Sequence, residues 1–316
     1  MASSTLSAMA RAYMRKHGIS PEMEQNLVKE ALHHHILSAL SDAGITERVV
    51  FQGGTSLRLC YSGTRYSEDL DFVCGRGGEY LNEIDFRETV DMAIDVLSTS
   101  LSQALGIERS RIRSKPPKDT DSLRGEKVSV AAWQIAVPID DTPGVPSSRV
   151  KIEFANVPSH DARIMMVKAP DDLIQTPSII LRVESPTEIL ADKVIALINR
   201  PYLKYRDVWD VNFIEKTLRH EIDRELLWDL VCRKLSDYRI TNLDQVAEKL
   251  RLKIEELQTR DTLEGYKGEI SRFIPGKQVE QILRANLHAQ MLADSVRLLE
   301  EAKPEIEQCI QEPPKP

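Results

Sequence analysis

In the stretch FQGGTSLRLCYSGTRYSEDLDFVCG, Phe51 to Gly75, two glycines precede Thr55 and Ser56, and Asp69 and Asp71 follow with one leucine between them. Carboxylates at i and i+2 of a strand project from one face. Held that close, they repel each other unless a cation lies between them. Magnesium suits such a pair, because it is a hard ion that takes one or two carboxylates and completes its shell with water and substrate phosphate. Gly53 and Gly54, opening a helix, supply the complementary part: free amides at a helix N-terminus, pointing at an anion. Thr55 and Ser56 add hydroxyl donors. Either feature alone is weak, since D-x-D arises by chance and Gly-Gly before a helix is more often a turn. In this order and at this spacing they describe a seat for a triphosphate and its magnesium, the core of a nucleotidyl-transfer site.

A two-metal arrangement needs a third carboxylate on a neighbouring strand. In RVKIEFANV, Val150, Ile152 and Phe154 alternate with Lys151 and Glu153, so Glu153 points off the apolar face. The alternative is a surface glutamate on an edge strand. Asp140 and Asp141 sit beside prolines and read as a turn. Further along, a helix expected from Pro186 carries Leu190, Val194, Leu197 and Ile198 as an apolar stripe, with Lys193 inside it. A lysine there must snorkel, pair with an acid or serve a site. Arg200, Arg206, Asp207 and Asp210 follow, and Asp207 and Asp210 share a helix face. They form either an ion-pair cluster joining two helices or part of a site.

These residues need elements to hold them. Helices are expected over Thr5–His17, Pro21–Ala43 and Ile84–Leu105, with a short one from about Thr55. Strands are expected at Val49–Phe51, Leu70–Val73, Arg109–Ser114, Val128–Val137, Arg149–Ala155 and Ser178–Val183. From Pro186 the pattern is helical almost to the end, closing in the tail QEPPKP, which should fray. His33, His34 and His35 point about 100° apart around a helix and cannot converge on one metal, so they read as a chance run. The fold class is α+β: a mixed sheet flanked by helices, followed by an all-helical part.

With 316 residues, 41% hydrophobic and 29% charged, the chain reads as globular and is long enough for one large or two ordinary domains. No apolar run is long enough to suggest a membrane span, and the N-terminus lacks the basic start and apolar core of a secretory signal, so a cytoplasmic location is expected. Cys60, Cys74, Cys232 and Cys309 show no zinc-type spacing and read as reduced, buried thiols. The net charge of −7 argues against a protein coated in nucleic acid. One local exception is Arg109–Lys127, with seven Lys/Arg against three Asp/Glu. It reads as a solvated loop or as an RNA contact through Arg109, Arg111 and Arg113.

GGTSLR, RYSEDLDF, KIEF and ADKVIALINRPYLKYRDVWDV, taken in order, resemble the AbiEii-type abortive-infection nucleotidyltransferase toxins of the polymerase-β-like superfamily. The resemblance covers about Val49–Phe213. It implies that Gly53, Gly54 and Thr55 line the nucleotide phosphates, that Arg65 and Ser67 flank the site, and that Asp69 and Asp71 bind Mg2+. It also implies that Glu153 fills the third acidic position, that Lys193 meets the triphosphate, and that Asp207 is an essential carboxylate. Arg206 and Asp210 fit either a supporting or a structural role. On this reading residues 1–184 form a nucleotidyltransferase domain with N-terminal helices, and residues 185–316 form a helical domain contributing Lys193 and Asp207. The resemblance implies an NTP substrate, an RNA acceptor such as the tRNA 3′ end, and a cognate antitoxin. Two rivals are an enzyme that nucleotidylates a protein side chain and a non-catalytic partner-binding module on the same fold.

Overall fold

A computed structural model describes residues 5–115, 128–140, 146–240 and 242–311. The C-terminal tail beyond residue 311, Asp141 and the later part of the basic segment, from residue 116 to 127, lie outside them. The chain divides into two compact units, Met1–Val183 and Glu184–Pro316.

The first unit opens with α1 (Leu6–His17). Thr5 caps it by accepting from the Ala8 amide, and Gly18 ends it in the left-handed conformation at φ 63°. A 3-10 turn at Pro21–Met23 leads into α2 (Glu24–Asp42). Leu27, Val28, Leu32, Ile36, Leu37 and Leu40 are all fully buried, which makes α2 a core helix and not a surface one. Strand β1 (Val50–Gln52), helix α3 (Gly53–Cys60), strand β2 (Leu70–Arg76) and helix α4 (Glu83–Leu105) follow. The remaining strands are β3 (Arg113–Lys115), β4 (Val130–Pro138), β5 (Ser147–Ser159), β6 (Ala162–Val167) and β7 (Ile179–Glu184).

The seven strands form one mixed sheet in the order β3-β4-β5-β2-β1-β7-β6. β2 pairs parallel with β5 and antiparallel with β1, while β4 pairs antiparallel with β5 and β3. Phe51, Phe72 and Phe154 are direct cross-strand partners on the buried face, with ring centroids 5.1 and 5.2 Å apart, and Trp133 lies edge-on to Phe154. This aromatic row fixes the register. A slip of one residue would drive Asp71 and Glu153 into the core and expose the rings.

The expected elements differ from the structure in three places. Arg109–Arg111 is a 3-10 turn, and only Arg113–Lys115 joins the sheet. Helix α3 begins at the glycines themselves, two residues before Thr55. Strand β6 was not anticipated, because Ile164 and Met166 face solvent and invert the usual alternation.

The second unit is helical: α5 (Pro186–Asn199), α6 (Tyr205–Thr217), α7 (Arg224–Asp237), α8 (Leu243–Leu257), α9 (Arg260–Glu269), α10 (Gly276–Arg284) and α11 (Leu287–Gln311). Ser185 caps α5 by accepting from the Glu188 amide at 3.1 Å, with Pro186 in the first turn where a missing N–H costs nothing. Cys232 of α7 and Cys309 of α11 form a disulfide with their Cα atoms 5.9 Å apart, which corrects the expectation of four reduced thiols. Cys60 and Cys74 are free, and burial pushes the Cys60 thiol up to about 12 and that of Cys74 higher still.

Candidate active site

In the first unit, Asp71 of β2 is the Cα partner of Glu153 on β5 and of Gln52 on β1. Direct partners share a face, so the two carboxylates emerge side by side above the aromatic row. Asp69 lies two residues before Asp71, at the mouth of β2. Gly53 starts α3 against this row at φ +78°, and a Cβ there would lie 3.0 Å from Asp71 Oδ2. A Cβ on Gly54 would lie 1.9 Å from Arg65 Nη2. Gly53 is favoured by its left-handed φ and its closeness to Asp71, and a side chain on Gly54 would displace the Arg65 guanidinium.

Arg65 is buried and donates from Nη1 to the Tyr66 carbonyl at 3.0 Å, and Ser67 is half-buried beside it in sequence. The hydroxyls of Thr55 and Ser56 are spent inside the protein. Thr55 Oγ1 donates to the Asp69 carbonyl, and Ser56 Oγ donates to the Gly53 carbonyl at 2.8 Å. No side chain caps α3, so its first-turn amides are the groups on offer to an anion.

Two residues belong to this site that the sequence did not mark. His33 of α2, read as part of a chance run, places Nε2 3.1 Å from the Glu68 carbonyl. A carbonyl only accepts, so the ring nitrogen donates. Burial drives the His33 pKa down to about 3, which keeps the ring neutral. Lys29, one turn earlier, pairs with the Glu68 carboxylate at 3.1 Å. The second is Lys151, whose ammonium bonds Glu153. Burial works against the Lys151 charge, but Glu153, Asp71 and Asp69 outweigh it and hold its pKa above the ordinary value. The alternation of RVKIEF placed Lys151 and Glu153 on one face; what it lacked was the register that sets them beside Asp71.

The donor set fits magnesium in kind, being carboxylate oxygens with solvent access. Asp69 and Asp71 are the residues that would hold it, with Glu153 beside them. Among the described residues no group of three or more His, Cys, Asp or Glu is assembled as a metal-binding cluster.

In the second unit, Lys193 Nζ lies 2.8 Å from Asp207 Oδ1 and 2.7 Å from Asp210 Oδ2, and Arg200 also bonds Asp207. Burial alone would raise the Asp207 pKa; Lys193 and Arg200 outweigh it and leave it lowered. Asp207 also sits in the first turn of α6, where the helix dipole favours a negative charge. Arg206 is half-buried on the same turn. A second buried lysine, Lys234 of α7, meets Glu184, Glu188 and Asp192 at 3.2, 3.0 and 2.8 Å. Glu184 ends β7, while Glu188 and Asp192 lie four apart on α5, and that i, i+4 pair was the part of the signal legible in the sequence.

Residues 35–290 match the model of a family described as the nucleotidyl transferase AbiEii toxin of type IV toxin–antitoxin systems. The chain belongs to this family and is a nucleotidyltransferase. Among solved structures, it resembles MenT4, the nucleotidyltransferase toxin Rv2826c from Mycobacterium tuberculosis H37Rv, at 19% identity and TM-score 0.53, covering 97% of this chain and 98% of that one. JHP933 from Helicobacter pylori matches at 17% identity and TM-score 0.49, covering 93% of this chain and 98% of that one. No curated protein sequence matches the chain. Among the described residues no helix is long and apolar enough to cross a membrane.

Proposed function

We propose that this toxin is a Mg2+-dependent nucleotidyltransferase that moves a nucleoside monophosphate from an NTP to a hydroxyl of RNA, the 3′ end of tRNA. The observation that carries the reading is the Asp71–Glu153 register pair, with Asp69 beside it and the uncapped start of α3 against it. Magnesium, when bound, would neutralise the triphosphate and polarise the α-phosphate. The chain's own residues do the rest. Amides of Gly54 and its neighbours in α3 orient the phosphates, and Asp69 and Asp71 hold the cation end. The acceptor oxygen attacks the α-phosphorus, the bond to the β-phosphate breaks, pyrophosphate leaves with that electron pair, and the hydroxyl proton passes to a base.

Lys193 and Asp207 are assigned to this reaction from the family resemblance, with Asp210 and Arg206 in support. Their mutual ion pairs make Asp207 the residue that holds Lys193 in place. Work in the cytoplasm and neutralisation by a cognate antitoxin complete the proposal. The test is to incubate the protein with each labelled NTP, magnesium and either total RNA or total protein. Label on RNA that is lost in Asp71→Ala supports the reading, whereas label on protein alone, or none, overturns it. Expression in a bacterial host should arrest growth, and a folded Asp71→Ala variant should not.

A further inference from the structure

The face of the sheet that carries Asp71 and Glu153 does not end with them. On β5 the residues sharing their side are Lys151 and then Arg149, since strand residues two apart face the same way. Arg149 is the direct partner of Ala136 on β4, and Ala136 of Arg113 on β3. Lys151 is the direct partner of Gln134, and Gln134 of Lys115. Three parallel rows therefore cross the strands on one face: Asp71–Glu153–Ala132, then Lys151–Gln134–Lys115, then Arg149–Ala136–Arg113.

The opposite face is the core, where Val150, Ile152, Ile135, Trp133 and Phe154 are buried. Arg113, Lys115, Gln134 and Arg149 are exposed. From Asp71 to the edge strand the face runs about 14 Å, at roughly 4.8 Å per strand. It passes from carboxylates to four cations in a chain whose net charge is −7.

We infer that this open face is the track on which the acceptor strand lies, with its phosphates over Arg149, Arg113 and Lys115 and its terminal hydroxyl at the carboxylate row. The inference rests on the reading of the acceptor as RNA and adds the surface that holds it. Charge selects the occupant: a polyanion gains from the two basic rows, and its uncharged terminal hydroxyl is the part that reaches the acidic one. The middle strand shapes the contact. Ala132, Gln134 and Ala136 leave a low floor with no aromatic side chain for a base to stack on, so the track grips backbone phosphate and reads no sequence. Lys151 stands at the junction, bonded to Glu153 and heading the first basic row.

The turn at Arg109–Arg111 contributes less than the basic composition of the segment implied. Arg111 Nη2 donates to the Asp140 carbonyl at 3.3 Å, so part of its donor capacity is spent on the protein. Arg149, which the composition of the segment could not reveal, takes a central place.

The test measures binding of fluorescein-labelled single-stranded RNA oligomers of A, U or C by anisotropy across a salt series. Wild type is compared with Arg113→Ala/Lys115→Ala/Arg149→Ala and with the milder single Arg149→Gln, each checked by melting temperature. The triple variant should lose about two of the slope of log affinity against log salt, at roughly 0.7 per phosphate contact, and at least about tenfold in affinity at low salt. The loss should be equal for the three oligomers, and Arg149→Gln should show about a third of the slope change. Unchanged slopes in both variants overturn the track, as does a loss confined to one base.

The labelling assay above, run on the same variants, separates the two readings. RNA labelled equally well by wild type and triple variant removes the track and leaves RNA as the acceptor. Label on protein alone, with no RNA binding by wild type, removes both and makes an acidic protein the occupant to seek.

Discussion

Asp71 and Glu153 stand on adjacent strands with solvent within reach, whereas Asp207 and Asp210 are sealed among helices with Lys193 between them. The side chain of Glu153 keeps 32% of its exposure and that of Lys151 39%, against 5%, 2% and 10% for Asp207, Asp210 and Lys193. Each cluster must offset repulsion between close carboxylates. The helical one does so with its own cations, already in place and dry. The sheet cluster has Lys151 bonded to Glu153 and stays open to solvent, which is the condition for taking a cation and its phosphates from solution. The difference separates carboxylates whose charge is balanced by buried cations from carboxylates that face solvent.

The largest expected effect breaks the sheet cluster. Asp71→Ala should lower transfer by at least about a hundredfold, the scale of losing one group that stabilises developing charge. Its melting temperature should hold or rise, since a repulsive partner of Asp69 and Glu153 is gone. A variant that melts well below wild type would show that the carboxylate row is structural.

In the helical cluster the balance reverses. Lys193→Met leaves Asp207 and Asp210 buried without their shared cation, and removing one member of a buried pair costs about 3–5 kcal/mol. Chemical denaturation should report a loss of that size. A Lys193→Met/Asp210→Asn double variant should recover part of it, because one uncompensated charge is removed. Lys193→Met with wild-type stability would undo the contrast drawn between the clusters.

Acid should also part the two regions. Burial, the largest cause, lowers His33 to about 3 and His34 to about 4 in the folded chain. Unfolded, both would titrate near 6.5. The unfolded state thus binds more protons below that value, so the stability these residues confer is complete above about pH 6.5 and lost as pH falls toward 3. The slope is up to about 1.4 kcal/mol per pH unit for each histidine. Asp207 is also depressed, but from the carboxylate range, so its contribution is present above about pH 4 and fails only below it. Incubation at stepped pH followed by a hydrogen-exchange pulse at fixed pH should show α2 peptides opening before those of α5 and α6. Simultaneous opening would contradict the assignment.

What could be read in the sequence divides along physical lines. Alternation along one strand announced that Glu153 and Lys151 point away from the core, and helical spacing announced that Lys193 lies in an apolar stripe. Both are local properties. The Asp71–Glu153 pairing, the Lys151 position and the rows through Arg149 depend on strand register, which joins segments far apart in the chain. Strand β6 escaped because Ile164 and Met166 are exposed, so its local pattern argues for the wrong face. The Cys232–Cys309 bond spans 77 residues and has no spacing signature. The glycine pair was legible as a helix start, yet its cause was not: Asp71 and Arg65 occupy the space where side chains would go.

The smallest effect concerns a residue that touches neither cation nor substrate. His33 holds the Glu68 carbonyl at 3.1 Å while Thr55 holds the next carbonyl, that of Asp69. The two peptides that flank Asp69 are thus pinned from α2 and α3. Partners one step behind a ligand commonly change metal affinity by about 10–100-fold. His33 acts through a backbone one residue away from Asp69, so the lower end of that range, about tenfold or less, is expected for His33→Ala. Mn2+ titration followed by calorimetry in the absence of NTP reads this without relying on turnover. His33→Gln keeps a donor of similar reach and should restore most of the affinity. A merely space-filling histidine predicts a different pattern: both variants lose stability alike and neither changes Mn2+ binding once folded. Equal affinities in wild type, His33→Ala and His33→Gln would reduce His33 to a core residue and leave the Asp69 carbonyl held by Thr55 without its help.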